Sequence, residues 1–173
     1  MKRIGWIFGC ATVLAAIIFL TNGANAQRSK KKEPYDVLLW KYLNDNKYRN
    51  WAPVPGESDD AYEGESPHGA YLKMYLNRKA AGSPNDLPSG SIIVKENFAK
   101  DKTTLMAVTV MFKSYGFNED GGDWYWAKYN ANGTIAKTDK EAGSKRISGK
   151  VGKCIDCHGD AKGEDFVFFN DED

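Results

Sequence analysis

The pattern of apolar positions predicts a helix near the start of the chain. In residues 35–48 the apolar side chains recur at the three- and four-residue spacing of one helix face, at Leu38, Leu39, Tyr42 and Leu43. Pro34 suits the first turn of such a helix, because the backbone N–H that proline lacks has no partner there. Residues 51–56, which contain two prolines and a glycine, end the predicted helix.

The period then changes from helical to alternating, which is typical of strands. The predicted strands are residues 70–76, 92–95, 104–113, 124–129 and 134–136, with Asn132-Gly133 as a hairpin turn before the last one. Residues 57–67 and 137–150 show neither period and are predicted loops. The pattern therefore predicts an α+β fold, an antiparallel sheet of about five strands with an N-terminal helix and a short C-terminal helix.

The first motif with a recognisable chemical role is Cys154-Ile155-Asp156-Cys157-His158, where the predicted short C-terminal helix begins. The pattern is typical of covalent haem attachment. Two thiols at this spacing can add to the two vinyl groups of one haem, and the adjacent histidine then becomes the proximal iron ligand. We therefore predict one haem c per chain, attached to Cys154 and Cys157 and ligated by His158.

Two other interpretations of the same motif stay open. A thioredoxin-type redox pair should follow a strand near the start of a βαβ unit, whereas this motif lies close to the end of the sequence. Half of a zinc site would need about four ligands in total, and His68 is the only other histidine.

Residues 1–26 are predicted to be a secretory signal peptide. A positively charged start precedes a largely apolar run, and Ala24-Asn25-Ala26 is an A-x-A cleavage site. An uncleaved membrane anchor is the alternative, although the apolar run is shorter than the roughly 20 residues that a span needs. Cleavage after Ala26 would remove Cys10 and release residues 27–173 into the periplasm as a single domain.

The sequence contains 24 basic and 23 acidic side chains, so its net charge is close to zero. This balance excludes a strong positive electrostatic field that would attract nucleic acid. Residues 28–32 form a basic cluster at the start of the predicted mature chain. A solvated tail is the simpler interpretation, and contact with an anionic membrane or an acidic redox partner is the alternative.

The position of the motif fits neither common class of small haem protein. Helical electron carriers have the motif near the N-terminus and take a methionine ligand from downstream, but no methionine follows His158. The four-helix cytochromes c′ do have a C-terminal motif, but they lack the strands predicted here.

A series of short segments runs in a specific order through most of residues 27–173. They are the tryptophan-bearing N-terminal helix with Trp51, Ser66-Pro67-His68-Gly69, residues 88–96, Val110-Met111-Phe112-Lys113, Gly116-Phe117, residues 122–126, the haem motif and Asp165-Phe166-Val167-Phe168. In this order they resemble the cytochrome P-460 family, which includes the cytochrome c′-beta relatives. The resemblance implies a homodimeric antiparallel sheet with the haem on one face and an open distal site on the iron.

The resemblance also implies roles for individual residues. Lys95 matches the lysine whose side-chain nitrogen bonds to a haem meso carbon in the P-460 branch, although a strand lysine more commonly points to water. Glu119 is the first candidate for the distal general base, with Asp120 and Asp123 as alternatives, or all three are solvated turn residues. Glu96 should face away from Lys95, because strand side chains alternate.

His68 and the phenylalanines leave further alternatives. His68 could be a sixth iron ligand, a distal-pocket proton donor or a polar residue at a strand entrance. Phe98, Phe112 and Phe117 are candidates for an apolar cap over the iron. The methionines on strand patterns (Met74, Met106 and Met111) are predicted core residues.

The resemblance implies two alternative functions, and the sequence leaves a third open. The first is an enzyme that oxidises hydroxylamine to nitrous oxide or nitric oxide and passes electrons to a soluble acceptor cytochrome. The second is a c′-beta-like protein that binds or carries nitric oxide without turnover. The third is a plain electron-transfer cytochrome, low-spin through His68 or a methionine.

Overall fold

The computed structural model describes residues 32–57, 60–141, 143–163 and 165–171, so the predicted signal peptide lies outside the described residues. The helices are α1 (Tyr35–Asp45), α2 (Arg78–Gly82) and α3 (Gly152–His158), with short 3₁₀ helices at Tyr48–Asn50 and Glu119–Gly121. The strands are β1 (Tyr62–Glu63), β2 (Tyr71–Leu76), β3 (Ile92–Phe98), β4 (Leu105–Lys113), β5 (Trp124–Asn130) and β6 (Ser148–Gly149). Within the described ranges no helix has the length and apolar character needed to cross a bilayer.

The strands form one antiparallel sheet in chain order from β1 to β6. This confirms the predicted α+β class. The described part of the chain has six strands where about five were predicted, because the two-residue strands β1 and β6 lie in segments predicted as loops. Strands this short pair through the backbone alone, so their side chains leave no period in the sequence.

Residues 134–136 do not form the predicted fifth strand, although the predicted hairpin turn before them occurs. The Asn130 N–H donates to the Thr134 carbonyl and the Ala136 N–H to the Lys128 carbonyl, but Ile135 makes only an isolated bridge to Tyr129. The neighbouring strand of β5 is β6, which follows later in the chain. Helix α2 was also missed, since a five-residue helix is too short to show a helical period. Asn77 caps it by accepting a hydrogen bond from the Ala80 N–H.

The sheet buries two different faces, as the alternation of its side chains requires. One face packs on α1, and its core contains Leu39, Leu43, Tyr48, Tyr75, Val94, Val108, Val110, Tyr125 and Tyr129. The other face contains Leu76, Ile93, Met111, Trp124 and Trp126, and it packs against Val167 and partly buried residues of α3. Met106, a predicted core residue, is 58% exposed at the start of β4.

Candidate functional site

A cavity of about 640 Å³ lies on the second face of the sheet, between the strands, α3 and the C-terminal segment. This volume is within the range of cofactor sites in proteins. The sheet contributes Leu72, Met74, Ile93, Lys95, Thr109, Met111, Trp126 and Lys128, while α3 and the C-terminal segment contribute Cys154, Cys157, His158, Val167, Phe168 and Phe169.

Helix α3 presents the two cysteines and the histidine of the Cys-x-x-Cys-His motif to this cavity. Cys154 and Cys157 are both free thiols and both line it. Three-residue spacing on a helix places two side chains on nearly the same face, which is why one short helix can present both. Burial raises the pKa of the Cys154 thiol, while the nearby Lys128 ammonium opposes that shift.

The orientation of His158 is set by a backbone carbonyl. Its Nδ1 lies 2.8 Å from the Phe166 carbonyl oxygen, so Nδ1 carries the proton and donates. The Nε2 lone pair is thereby left available as a ligand. Burial lowers the pKa of His158, and the Lys95 ammonium lowers it further against the effect of the Phe166 carbonyl.

Aromatic rings surround the His158 imidazole. The ring centroid of Trp126 lies 4.8 Å away, that of Phe168 5.5 Å and that of His68 6.2 Å. The half-exposed Phe168 closes the solvent side of this cluster. Packing on several sides restricts the imidazole to one orientation, which a metal ligand needs.

Lys95 projects from β3 into the cavity, whereas Glu96 points to the opposite face. The Glu96 carboxylate is 3% exposed and accepts hydrogen bonds from the Tyr48 and Tyr75 hydroxyls and from the Arg49 guanidinium. This buried network holds the register of β3. Burial lowers the pKa of Lys95, although Cys157 has the opposite effect, so its amine is more readily neutral than that of a surface lysine.

A second lysine, which the sequence interpretation missed, lies in the same row of the sheet. Thr109 on β4 pairs with Lys95 on one side and with Lys128 of β5 on the other, and all three line the cavity. The available signal was alternation within β5, because Lys128 stands two residues after Trp126. Which strands are neighbours, and in what register, was not readable from that pattern.

His68 is brought to the same site. Its Nδ1 lies 3.0 Å from the Asn97 side-chain oxygen, which also accepts the Gly69 N–H. Since the Asn97 amide nitrogen donates to the Lys95 and Ala107 carbonyls, that oxygen is an acceptor and His68 Nδ1 is the donor. Burial, with a contribution from Lys95, lowers the pKa of His68 to about 4.

Glu119 is not brought to the cavity. It lies exposed in the 3₁₀ helix Glu119–Gly121 with Asp120, and neither lines the cavity. Asp123 instead accepts the Asn118 and Gly116 backbone N–H groups and so holds the turn together. These acids therefore act as turn residues in this fold, and among the residues that line the cavity Glu57 is the one carboxylate.

The three phenylalanines predicted to form an apolar cap over the iron do not line the main cavity. Phe112 and Phe117 pack against the α1 side of the sheet. Phe98 lines a smaller neighbouring cavity of about 340 Å³, which also includes His68 and Lys128. The phenylalanines at the main cavity are Phe168 and Phe169, which follow the haem motif and are brought back over it by the C-terminal segment.

The donor set fits a covalently attached haem. The cavity is mostly apolar, has two unpaired thiols on one helix and offers an imidazole whose free nitrogen is Nε2. The described residues contain no cluster of three or more histidine, cysteine, aspartate or glutamate side chains that could hold a metal ion.

Comparison with known proteins agrees with this geometry. No curated protein matches the chain. The family model for Cytochrome P460 matches residues 45–169, which spans the strands, the cavity-lining residues of the sheet and the Cys-x-x-Cys-His motif. That family implies a haem-binding cytochrome. The chain therefore belongs to the cytochrome P460 family.

Proposed function

We propose that this protein is a periplasmic c-type cytochrome that oxidises hydroxylamine to nitrous oxide or nitric oxide. One haem per chain would be attached to Cys154 and Cys157 and ligated by His158. When bound, the haem would supply an iron at which the substrate could be oxidised and a route for electrons to a soluble acceptor cytochrome. The exported chain, residues 27–173, would act as a homodimer.

The observation that carries the proposal is the burial of Lys95 in the same cavity as the attachment motif. Hydrated ammonium groups are poor nucleophiles, but an amine whose pKa is lowered by burial exposes its lone pair. In this position Lys95 can bond to a haem carbon and act as a third covalent attachment. Forming that carbon–nitrogen bond removes one hydrogen from each partner, a two-electron oxidation that a peroxide would complete on being reduced to water.

His68 supports the proposal because its side chain can take part in proton transfer at the site. With Nδ1 donating to Asn97, its Nε2 is an acceptor, and its lowered pKa keeps the ring neutral at neutral pH. A neutral imidazole at the cavity wall can accept a hydrogen bond from hydroxylamine and so pass on a proton that the substrate releases. This role takes the place of the one expected for Glu119.

A second function is favoured by one specific observation, the scarcity of carboxylates at the cavity. Its wall contains Trp126, Phe168 and Phe169, while Glu119 lies on the surface. An apolar pocket of this kind binds an uncharged diatomic gas well. The alternative is therefore a c′-beta-like protein that binds or carries nitric oxide without turnover and without the Lys95 bond.

The decisive experiment is the optical spectrum of the haem-loaded protein, ferric and then dithionite-reduced. Wild type is compared with Lys95→Ala and with Lys128→Ala as the matched control, since both lysines flank Thr109 on the same face. We expect a red-shifted, broadened ferrous Soret band in wild type and Lys128→Ala, and an ordinary c-type spectrum in Lys95→Ala. Turnover of hydroxylamine should be lost with the shift.

Two outcomes would contradict the proposal. An ordinary high-spin c-type spectrum in all three proteins would refute the lysine bond and make nitric oxide binding the leading function. A low-spin six-coordinate spectrum that becomes high-spin in His68→Phe would instead identify a bis-histidine electron carrier and refute both open-site functions.

A further inference from the structure

Asp165 is held at three points by three different parts of the fold. Its carboxylate forms an ion pair with Lys113 at the end of β4 and accepts the Leu87 backbone N–H at 2.8 Å. Its carbonyl oxygen accepts the Trp124 indole N–H of β5 at 2.7 Å. The Lys113 and Asp165 side chains are only 19% and 11% exposed, so the ion pair is largely shielded from solvent.

The residue after Asp165 carries the carbonyl that orients His158. Phe166 has a φ of +59°, in the left-handed region that non-glycine residues rarely adopt. Its ring lies over Gly122, where an added Cβ would come within 2.6 Å of the ring. Strained backbone persists only where its surroundings hold it in place. Here the contacts of Asp165 and the packing of the Phe166 ring on Gly122 hold it.

We propose that Asp165, through its ion pair with Lys113, is a positioning residue for His158. It holds the Phe166 carbonyl in line with the His158 Nδ1–H, and this hydrogen bond in turn sets the strength of the bond between His158 Nε2 and the iron. The inference rests on the haem attachment of the proposed function, but not on the Lys95 bond or on the substrate.

The physical reason lies in the electron density of the imidazole. A short Nδ1–H···O=C hydrogen bond makes the ring a stronger donor through its other nitrogen, which favours ferric iron. The bond measures 2.8 Å here. When the contacts of Asp165 are weakened, Phe166 can relax out of its left-handed conformation. Its carbonyl then turns away from Nδ1 of His158.

The test compares haem-loaded wild type with Lys113→Met and Asp165→Asn. The readouts are the iron–histidine stretching frequency of the ferrous protein by resonance Raman and the midpoint reduction potential. We expect both variants to shift the stretch to lower frequency and the potential to more positive values. Lys113→Arg, which can keep the ion pair, should return both readouts to near wild type.

The two variants separate positioning from simple charge effects. Removing the positive charge of Lys113 or the negative charge of Asp165 would, through space alone, move the potential in opposite directions. Positioning predicts the same direction for both. Lys41→Met is the control for an ion pair elsewhere, because Lys41 and Asp45 form an exposed pair on α1 and should leave both readouts unchanged.

Potentials that move in opposite directions, or readouts that stay at wild-type values in both variants, would overturn the inference. If Asp165→Asn does not fold, the sign of the Lys113→Met shift decides the question, since charge loss alone would make the potential more negative. If a sixth ligand masks the stretch, the potential decides. A denatured wild-type chain that carries no covalent haem would contradict the proposed function and this inference together, whereas unchanged readouts with haem attached contradict the inference alone.

Discussion

At the scale of single residues, the site depends on which face of a strand each side chain takes. Lys95 and Glu96 are neighbours in β3, yet one lines the cavity and the other lies among Tyr48, Tyr75 and Arg49 on the opposite face. A one-residue slip of β3 would exchange them and bury an unpaired lysine against the α1 core. The three hydrogen-bond donors around Glu96 make such a slip costly.

Glu119 provides a test of the site at the same scale. Because its side chain is exposed and does not line the cavity, Glu119→Gln should change hydroxylamine turnover by less than about twofold, whereas loss of a general base costs about a hundredfold or more. Steady-state kinetics over a range of pH would measure this, with His68→Phe as the positive control. A hundredfold loss in Glu119→Gln would mean that the loop reaches the cavity in the haem-loaded protein.

At the scale of elements, α1 is attached to the sheet by a buried charge. Asp36 is 2% exposed and accepts hydrogen bonds from Arg146 and from Ser148 of β6. Burial raises the pKa of this carboxyl, but the hydrogen bonds from Arg146 and Ser148 outweigh it and hold the pKa below its usual value. One ionised side chain thereby joins the first helix to the last strand of the sheet.

The sign of the Asp36 shift sets a pH dependence. A lowered folded-state pKa contributes stability that is present above the unfolded value near 3.9 and is lost as the pH falls through the folded value. Asp36→Asn should therefore lower the free energy of unfolding by about 2 kcal/mol at neutral pH, and the difference from wild type should shrink at acid pH. Urea unfolding at pH 7 and at pH 3 measures both effects.

The matched control for this prediction lies on the same helix. Asp45→Asn removes the exposed partner of Lys41 and should cost less than about 0.5 kcal/mol at either pH. A difference between Asp36→Asn and wild type that is equally large at pH 3 and pH 7 would show that the ionised form of Asp36 is not what stabilises α1.

At the scale of the whole molecule, the sheet separates a structural face from a functional one. The α1 side is filled by apolar and aromatic side chains, whereas the other side encloses the cavity of about 640 Å³. A group that fills such a space in the folded state, and not in the unfolded state, stabilises the fold by mass action. Covalent attachment through Cys154 and Cys157 would make that stabilisation independent of haem concentration.

The attachment predicts a difference in thermal stability. The double variant Cys154→Ser with Cys157→Ser should still bind haem through His158 and have a thermal midpoint lower by several degrees, and after denaturation it should keep haem only through the proposed Lys95 bond. Scanning calorimetry, followed by haem staining of the denatured chain, measures both properties. Haem that remains with the denatured double variant would support the Lys95 bond, whereas haem that is lost would contradict it.

Prediction from the sequence was most successful where a residue pattern is local. The helix near residue 35 and the four longer strands follow from their own periods, and all occur in the structure. Strands β1 and β6 and helix α2 are too short to have a period, so only the structure reveals them. At the site, the Cys-x-x-Cys-His motif was readable because its chemistry depends on a spacing of a few residues.

The sequence by itself determined the α+β class, the family resemblance that the family comparison confirms and the single motif that marks a haem site. Tertiary structure alone decided which side chains share the cavity, since that depends on strand register and on the return of the C-terminal segment. It placed Lys128 beside Thr109 in the row of Lys95, left Glu119 on the surface and brought Asp165 next to the carbonyl that holds His158. Contacts between residues far apart in the chain leave no local period or spacing from which they could be read.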